Sequence, residues 1–345
     1  MLSHRDPLAV VGGRLATHLV DVTSDLSALD SHGFWAVVIP FSGRPVCARF
    51  AEIRLARPWP GQPWRGPSPE SWRTNLEQSA FESRVEMIRS SIGSGDIYQV
   101  NLTRRLSAPV QPDADIAALG AALASGNPAP FSAVVRLPDQ GIQVASASPE
   151  RFLSRSGPII RSSPIKGTAT TREALLEKDR AENIMIVDLV RNDLGRVCEW
   201  GSVHVPELLA VEEHPGLVHL VSTVEGQLRP GLGWADAIGA TFPPGSVTGA
   251  PKHAALQHIS RLETVERDVY CGAVGWVDAD RGVGELNVAI RTFWIADGEL
   301  HFGTGAGITW ESTPAGEWQE TELKARRLLR VASGQPVGVG TSGHG

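Results

Sequence analysis

The chain has 345 residues, 42% of them hydrophobic and 20% charged, with a formal net charge of −6. That length allows one large domain or two and a substantial core, while the acidic balance and the lack of a basic tract argue against nucleic-acid or anionic-membrane binding. Cys47, Cys198 and Cys271 form neither a CxxC pair nor a disulfide framework, and the N-terminus has no apolar run long enough for a signal peptide or membrane span, so a cytoplasmic protein is expected.

Residues 1–55 read as short strands, for example Phe34 to Ile39, forming a small β-rich N-terminal part. Residues 56–74 carry Pro58, Pro60, Pro63, Pro67 and Pro69, which oppose regular structure, and Trp59, Trp64 and Trp72, which suggest a docked linker. A main domain is expected over 75–332, followed by a Gly- and Ser-rich, disordered tail over 333–345. Leu76 to Ile92 has apolar residues at helical spacing, and Gly93 and Gly95 can end that helix. From Tyr98 the pattern alternates: Tyr98, Val100 and Leu102 on one face, Gln99, Asn101 and Thr103 on the other, as in any half-buried strand. Strands follow at Phe131–Arg136 and Gly141–Ser146, then a helix from Glu173 to Val190. Beyond Gly201 strands and turns mix, with strands over Glu285–Ile295 and Glu299–Phe302, and a last helix runs from Glu317 to Val331. Hairpin-connected strands outnumber helices, which favours a mixed fold with antiparallel sheets over a doubly wound parallel one.

Only four lysines occur: Lys166, Lys178, Lys252 and Lys324. In Ser162-Ser163-Pro164-Ile165-Lys166-Gly167-Thr168 an amine beside apolar neighbours can act as a nucleophile, although a surface-loop lysine reads the same locally. Asp179 and Glu182 stand three apart on one predicted helix. Glu317 and Glu320 stand three apart on the last, with Lys324 four further on. Each pair shares a helix face and could cage a hard cation such as Mg²⁺, or could simply be solvated. His219 lies among apolar residues, as a satisfied core histidine would, and Glu150 precedes Arg151 as in a surface ion pair. Gly303-Thr304-Gly305-Ala306-Gly307 follows a predicted strand, but no βαβ unit surrounds it, so a dinucleotide loop is a weak reading.

Pro164-Ile165-Lys166-Gly167-Thr168, Gly95-Asp96-Ile97-Tyr98-Gln99-Val100-Asn101, Ser148-Pro149-Glu150-Arg151-Phe152 and Phe242–Lys252 resemble blocks of the aminodeoxychorismate synthase component I family, chorismate-using enzymes of 4-aminobenzoate and folate synthesis. The resemblance spans roughly residues 75–332. It implies an α/β (α+β) fold of the anthranilate-synthase-component-I type, with antiparallel sheets packed on each other and helices outside. It implies Mg²⁺ bound through Glu182 and Glu320, with Asp179 and Glu317 one turn earlier, Lys166 as nucleophile and Glu150 as general acid. Arg291, Lys324, Tyr270, Gly305, Ala306, Gly307, Thr168, Thr248, His219 and Gln99 become substrate-binding positions. The related anthranilate synthases carry alanine in place of Lys166, and the water-adding relatives carry a lysine in place of Gln99. The pairing of Gln99 with Lys166 therefore implies amination of chorismate, with ammonia from a separate glutaminase subunit. Two departures stand out: the segment after Thr168 is shorter than in relatives, and the short leucine- and serine-containing motif of a family tryptophan site is missing from the N-terminal part.

Overall fold

The computed structural model describes residues 6–56, 62–169, 171–174, 177–214 and 217–335. Eighteen of the described strands join in one sheet whose ladders are all antiparallel. Starting inside the short strands Arg73–Thr74 and Gly249–Ala250, which both pair with Gln99–Pro109, the order is Gln99–Pro109, Glu299–Ile308, Thr292–Ala296, Ile142–Ser148, Phe131–Leu137 and Leu8–Val11. It continues through Arg14–Thr23, Val46–Leu55, Phe34–Ile39, Ala273–Asp278, Val283–Val288, Arg151–Ser156, Ile159–Ser163, Leu217–Gln227 and His204–His214. The two halves face each other across the largest core, where Ala133, Val135 and Leu137 meet the cluster of Trp35, Val37 and Val274.

The period-2 alternation of the strands builds the layers. Ala133 and Val135 point to the inner core, whereas Val134 points outward; Trp294 points inward between Phe293 and Ile295, which point outward. Six α-helices cover the outer faces: α1 Gln78–Gly93, α2 Ile116–Gly126, α3 Glu177–Gly195, α4 Trp234–Thr241, α5 Lys252–Leu262 and α6 Pro314–Ala332. Helices α2 and α6 bury Ile116, Leu123 and Leu328 against one half, and α3 and α4 bury Ile186, Val190 and Trp234 against the other. Helices α1 and α5 form a third cluster around Phe81, Ile88 and Ile259. No helix among the described residues is long and apolar enough to cross a membrane.

The antiparallel, helix-flanked architecture expected from the sequence is the one observed. Several elements differ. Residues 8–55 do not stand apart as a small unit: Leu8–Val11 pairs with Phe131–Leu137 and Phe34–Ile39 pairs with Ala273–Asp278, because strands apolar on both faces belong in the middle of a sheet. In the proline-rich segment, Pro69–Ser71 forms a 3₁₀ turn and Arg73–Thr74 a short strand, while Trp64 and Trp72 donate from their indoles to the Ala332 carbonyl and the Ser333 hydroxyl at the end of α6. Residues 57–61 of that segment, and the tail from 336, lie outside the described residues. The strand expected over Glu285–Ile295 breaks at Ala289–Arg291, and the glycine run after Phe302 continues its strand to Ile308. Helices α2, α4 and α5 have no counterpart in the sequence reading. In α2 nearly every residue is alanine, leucine or glycine, so no polar stripe marks its period.

Candidate active site

A cavity of about 240 Å³ opens between the two halves of the sheet, walled by α3 and α6. Its floor is the strand Glu299–Ile308. Beyond Phe302 that strand pairs only with Gln99–Pro109, so its other edge faces the cavity. Glycines at 303, 305 and 307 fall on one face at strand period. A Cβ at 303 would lie 2.2 Å from the Tyr270 ring, and one at 307 would lie 2.5 Å from Gln99 Nε2 and 3.1 Å from Lys166 Nζ. The glycines thus make room for three functional side chains, which a dinucleotide loop would not require.

Lys166 is buried, 9% exposed, on the strand Ile165–Ala169. That strand pairs Lys166 with Leu220 and Thr168 with His219, which leaves Gly167 as a bulged extra residue. Gly167 has φ +80°, and a Cβ there would lie 2.7 Å from Cβ of Asp179 on α3. Glycine therefore lets the lysine strand lie directly on the helix that carries Asp179 and Glu182. Asn183, fully buried, fixes the rotation of α3: it donates to the Leu220 carbonyl at 3.1 Å and accepts from Ser222 Oγ at 2.5 Å.

Glu150 is 3% exposed and lines the same cavity. Burial pushes its carboxyl up to about 7, against the opposing pull of Ser246, Lys166, the Ile165 backbone N–H and Lys324. Arg291 sits in the strand break at φ +52°, a left-handed conformation that costs a non-glycine residue on the order of 1 kcal/mol. Its Nη2 lies 3.0 Å from Nε2 of His219, which is 1% exposed. Burial pulls the Arg291 guanidinium down to about 10, with Glu150 pulling it back up.

The opposite wall is acidic. Asp179 and Glu182 project from α3, and Glu317 and Glu320 from α6. Gln99 donates to Glu182 Oε2 at 2.8 Å, Ser312 donates to Glu317 Oε1 at 2.6 Å, and Lys324 Nζ lies 2.6 Å from Glu320 Oε1 and 3.0 Å from the Gly305 carbonyl. Four carboxylates on two helices make an all-oxygen donor set, which suits Mg²⁺ chemically. Among the described residues no three His, Cys, Asp or Glu side chains converge into a metal-binding group.

Of the residues singled out from sequence, Lys166, Glu150, Arg291, Lys324, Tyr270, Gly305, Gly307, His219 and the four carboxylates line the cavity. Gln99 reaches it from behind, through Glu182 and beside Gly307. Ala306 points the other way, into the core with Phe81 and Ile88. Thr248 is buried with its hydroxyl donating to the Pro244 carbonyl at 3.0 Å, and its loop neighbours Ser246 and Val247 line the cavity instead. The side chain of Thr168 lies outside the described residues. Sequence reasoning missed Ser246, Asn101 and Thr304. Asn101 was detectable, because it shares the face of Gln99 at strand period.

A family model described as chorismate binding enzyme matches residues 49–330. Aminodeoxychorismate synthase component 1 of Klebsiella aerogenes is 43% identical over 271 residues, covering 75% of this chain and 59% of that protein. Anthranilate synthase component 1 of Streptomyces coelicolor is 41% identical over 272 residues, covering 75% of this chain and 52% of that one. The chain thus spans a little over half the length of these curated relatives. The crystal structure of anthranilate synthase component I from Streptococcus pneumoniae matches with a TM-score of 0.76 at 26% identity, over 94% of this chain and 90% of that chain. With most of its length matched by the family model, this chain belongs to the chorismate binding enzyme family.

Proposed function

We propose that the chain is an aminodeoxychorismate synthase component I, which aminates chorismate at C4 to give 4-amino-4-deoxychorismate. The observation that carries this reading is a buried lysine and a buried carboxyl lining one cavity, Lys166 and Glu150, with burial raising the carboxyl to about 7. The Lys166 amine attacks C2 of the ring through its nitrogen lone pair. The two ring π pairs shift by one bond each, the C4–O bond breaks, and Glu150 gives its proton to the departing oxygen, which leaves as water. Ammonia then bonds to C4, the π pairs return, Lys166 leaves C2 with its bonding pair, and the surplus proton on the new C4 nitrogen returns to Glu150. Chorismate and ammonia are consumed, and aminodeoxychorismate and water are released. The covalent step divides one difficult substitution into two easier ones.

Arg291 offers a planar fork to a substrate carboxylate and Lys324 a point charge. Glu182 and Glu320, with Asp179 and Glu317 beside them, would hold Mg²⁺, whose charge would join the ring carboxylate to an otherwise repelling acidic wall. Ammonia comes from a separate glutaminase subunit in this reading. In support, burial pushes the thiols of Cys47 and Cys271 up to about 12 and that of Cys198 to about 11, so none is a ready nucleophile for releasing ammonia from glutamine. Three free, buried cysteines also fit a cytoplasmic setting.

The test is product identification by mass spectrometry from chorismate, Mg²⁺ and excess ammonium, with and without an aminodeoxychorismate lyase. A product that the lyase converts to 4-aminobenzoate supports the reading. Anthranilate, the reaction named for the 41%-identical relative, would overturn it.

A further inference from the structure

Lys252 is one of four lysines in the chain, and the proposed chemistry leaves it unused. It is the first residue of α5 and is not among the residues lining the cavity. Its Nζ donates to Asp193 Oδ2 at 2.6 Å and to the Thr241 carbonyl at 2.8 Å. Asp193 is 5% exposed, near the C-terminal end of α3, and Thr241 is the last residue of α4. One amine therefore ties together the ends of three helices. It also bridges the two ends of a single loop, since residues 241 and 252 bracket residues 242–251.

That loop does the remaining work of closing the cavity. Its 3₁₀ turn Gly245–Val247 places Ser246 in the cavity lining with Glu150, and both residues also line one small pocket with Asp193 and Thr241. Gly245 packs on α3 so closely that a Cβ there would lie 2.7 Å from Leu189. Gly249 and Ala250 then pair with Val100 and Gln99. Burying an ion pair costs desolvation that a packed apolar pair would avoid, so a buried pair at this point calls for a reason other than stability.

We propose that Lys252 is a positioning residue: its bonds to Asp193 and Thr241 clasp loop 242–251 shut, hold Ser246 in the cavity wall with Glu150 and keep water from the acid. The inference rests on the amination reading for its assay, but the two fail separately. Product identity with the parent chain tests the reading, whereas the ratio of variant to parent turnover, for whatever product forms, tests the clasp.

The experiment compares Lys252→Met/Asp193→Leu, which removes both charges together, with the parent and with Ser246→Ala. Expected are a Tm within about 3 °C of the parent, a chorismate Kd within about twofold and a kcat reduced at least about tenfold. In the Ser246→Ala background the same double change should cost less than about threefold, because both act through the placement of Ser246 in the cavity wall. Lys252→Gln/Asp193→Asn, which keeps a neutral hydrogen-bonded pair, should retain kcat within about threefold. Parental kcat in the apolar double variant, full additivity with Ser246→Ala, or a tenfold loss in the neutral pair would each overturn the proposal.

Discussion

Gln99 donates from Nε2 to Oε2 of Glu182 at 2.8 Å, while its own Oε1 is buried with no hydrogen-bond partner among the described residues. One amide thus couples the first strand of the cavity wall to the carboxylate helix α3. Its nitrogen also lies against Gly307, beside the Lys166 amine. Lys166, the proposed metal ligand Glu182 and the strand floor form one contiguous group.

Lys166→Met should lower turnover by at least about a thousandfold while leaving chorismate Kd within about threefold, because the change removes a bond-forming group and little ground-state binding. Intact-mass spectrometry of the parent quenched during turnover should show a chorismate-derived adduct that the variant lacks. Unchanged turnover would sink the covalent role.

Glu150 gives a prediction with two readouts. As a general acid it must be protonated, so kcat should fall above about pH 7. Its folded pKa stands above the ordinary carboxylate value of 4.5, so the folded state binds more protons than the unfolded state between about pH 4.5 and 7. Stability should therefore fall as pH rises through that window, by on the order of 3 kcal/mol in all. Glu150→Gln should abolish that fall, giving a higher Tm than the parent at pH 8.5 and a similar one at pH 4.5, while turnover drops by about a hundredfold or more. Identical Tm profiles for the two proteins would contradict the burial argument.

Gly307→Ala places a methyl 2.5 Å from Gln99 Nε2 and 3.1 Å from Lys166 Nζ. Both neighbours are ends of flexible side chains, so the fold should accommodate it with Tm within about 3 °C, whereas kcat should fall at least about tenfold as the amine is pushed aside. A kinetic comparison with the parent at saturating chorismate decides it.

Glu320→Ala removes a carboxylate of the proposed metal set and the partner of Lys324. Mg²⁺-dependent chorismate binding should weaken at least about tenfold by calorimetry, with binding in chelator little changed. Normal Mg²⁺-dependent affinity would remove Glu320 from the metal assignment.

Local chemistry in the sequence determined much of this protein. Helical spacing marks α1, α3 and α6 to within a few residues, and strand alternation puts Gln99 and Asn101 on one face. Side-chain type by itself leaves Lys166, Glu150 and the paired carboxylates open to surface readings, and it is the resemblance of their sequence blocks to a known family that singles them out. Tertiary structure alone decided the rest, because it depends on contacts between residues far apart in the chain. The glycines at 303 and 307 look like a loop until Tyr270, and then Gln99 and Lys166, arrive against them from three other segments. Ser246 and Thr248 are equally plausible by type, and only the turn of their loop sends one into the cavity lining and the other to its own backbone. Likewise nothing local raises a carboxyl to about 7. That shift is the work of burial, and residues distant in sequence bury Glu150.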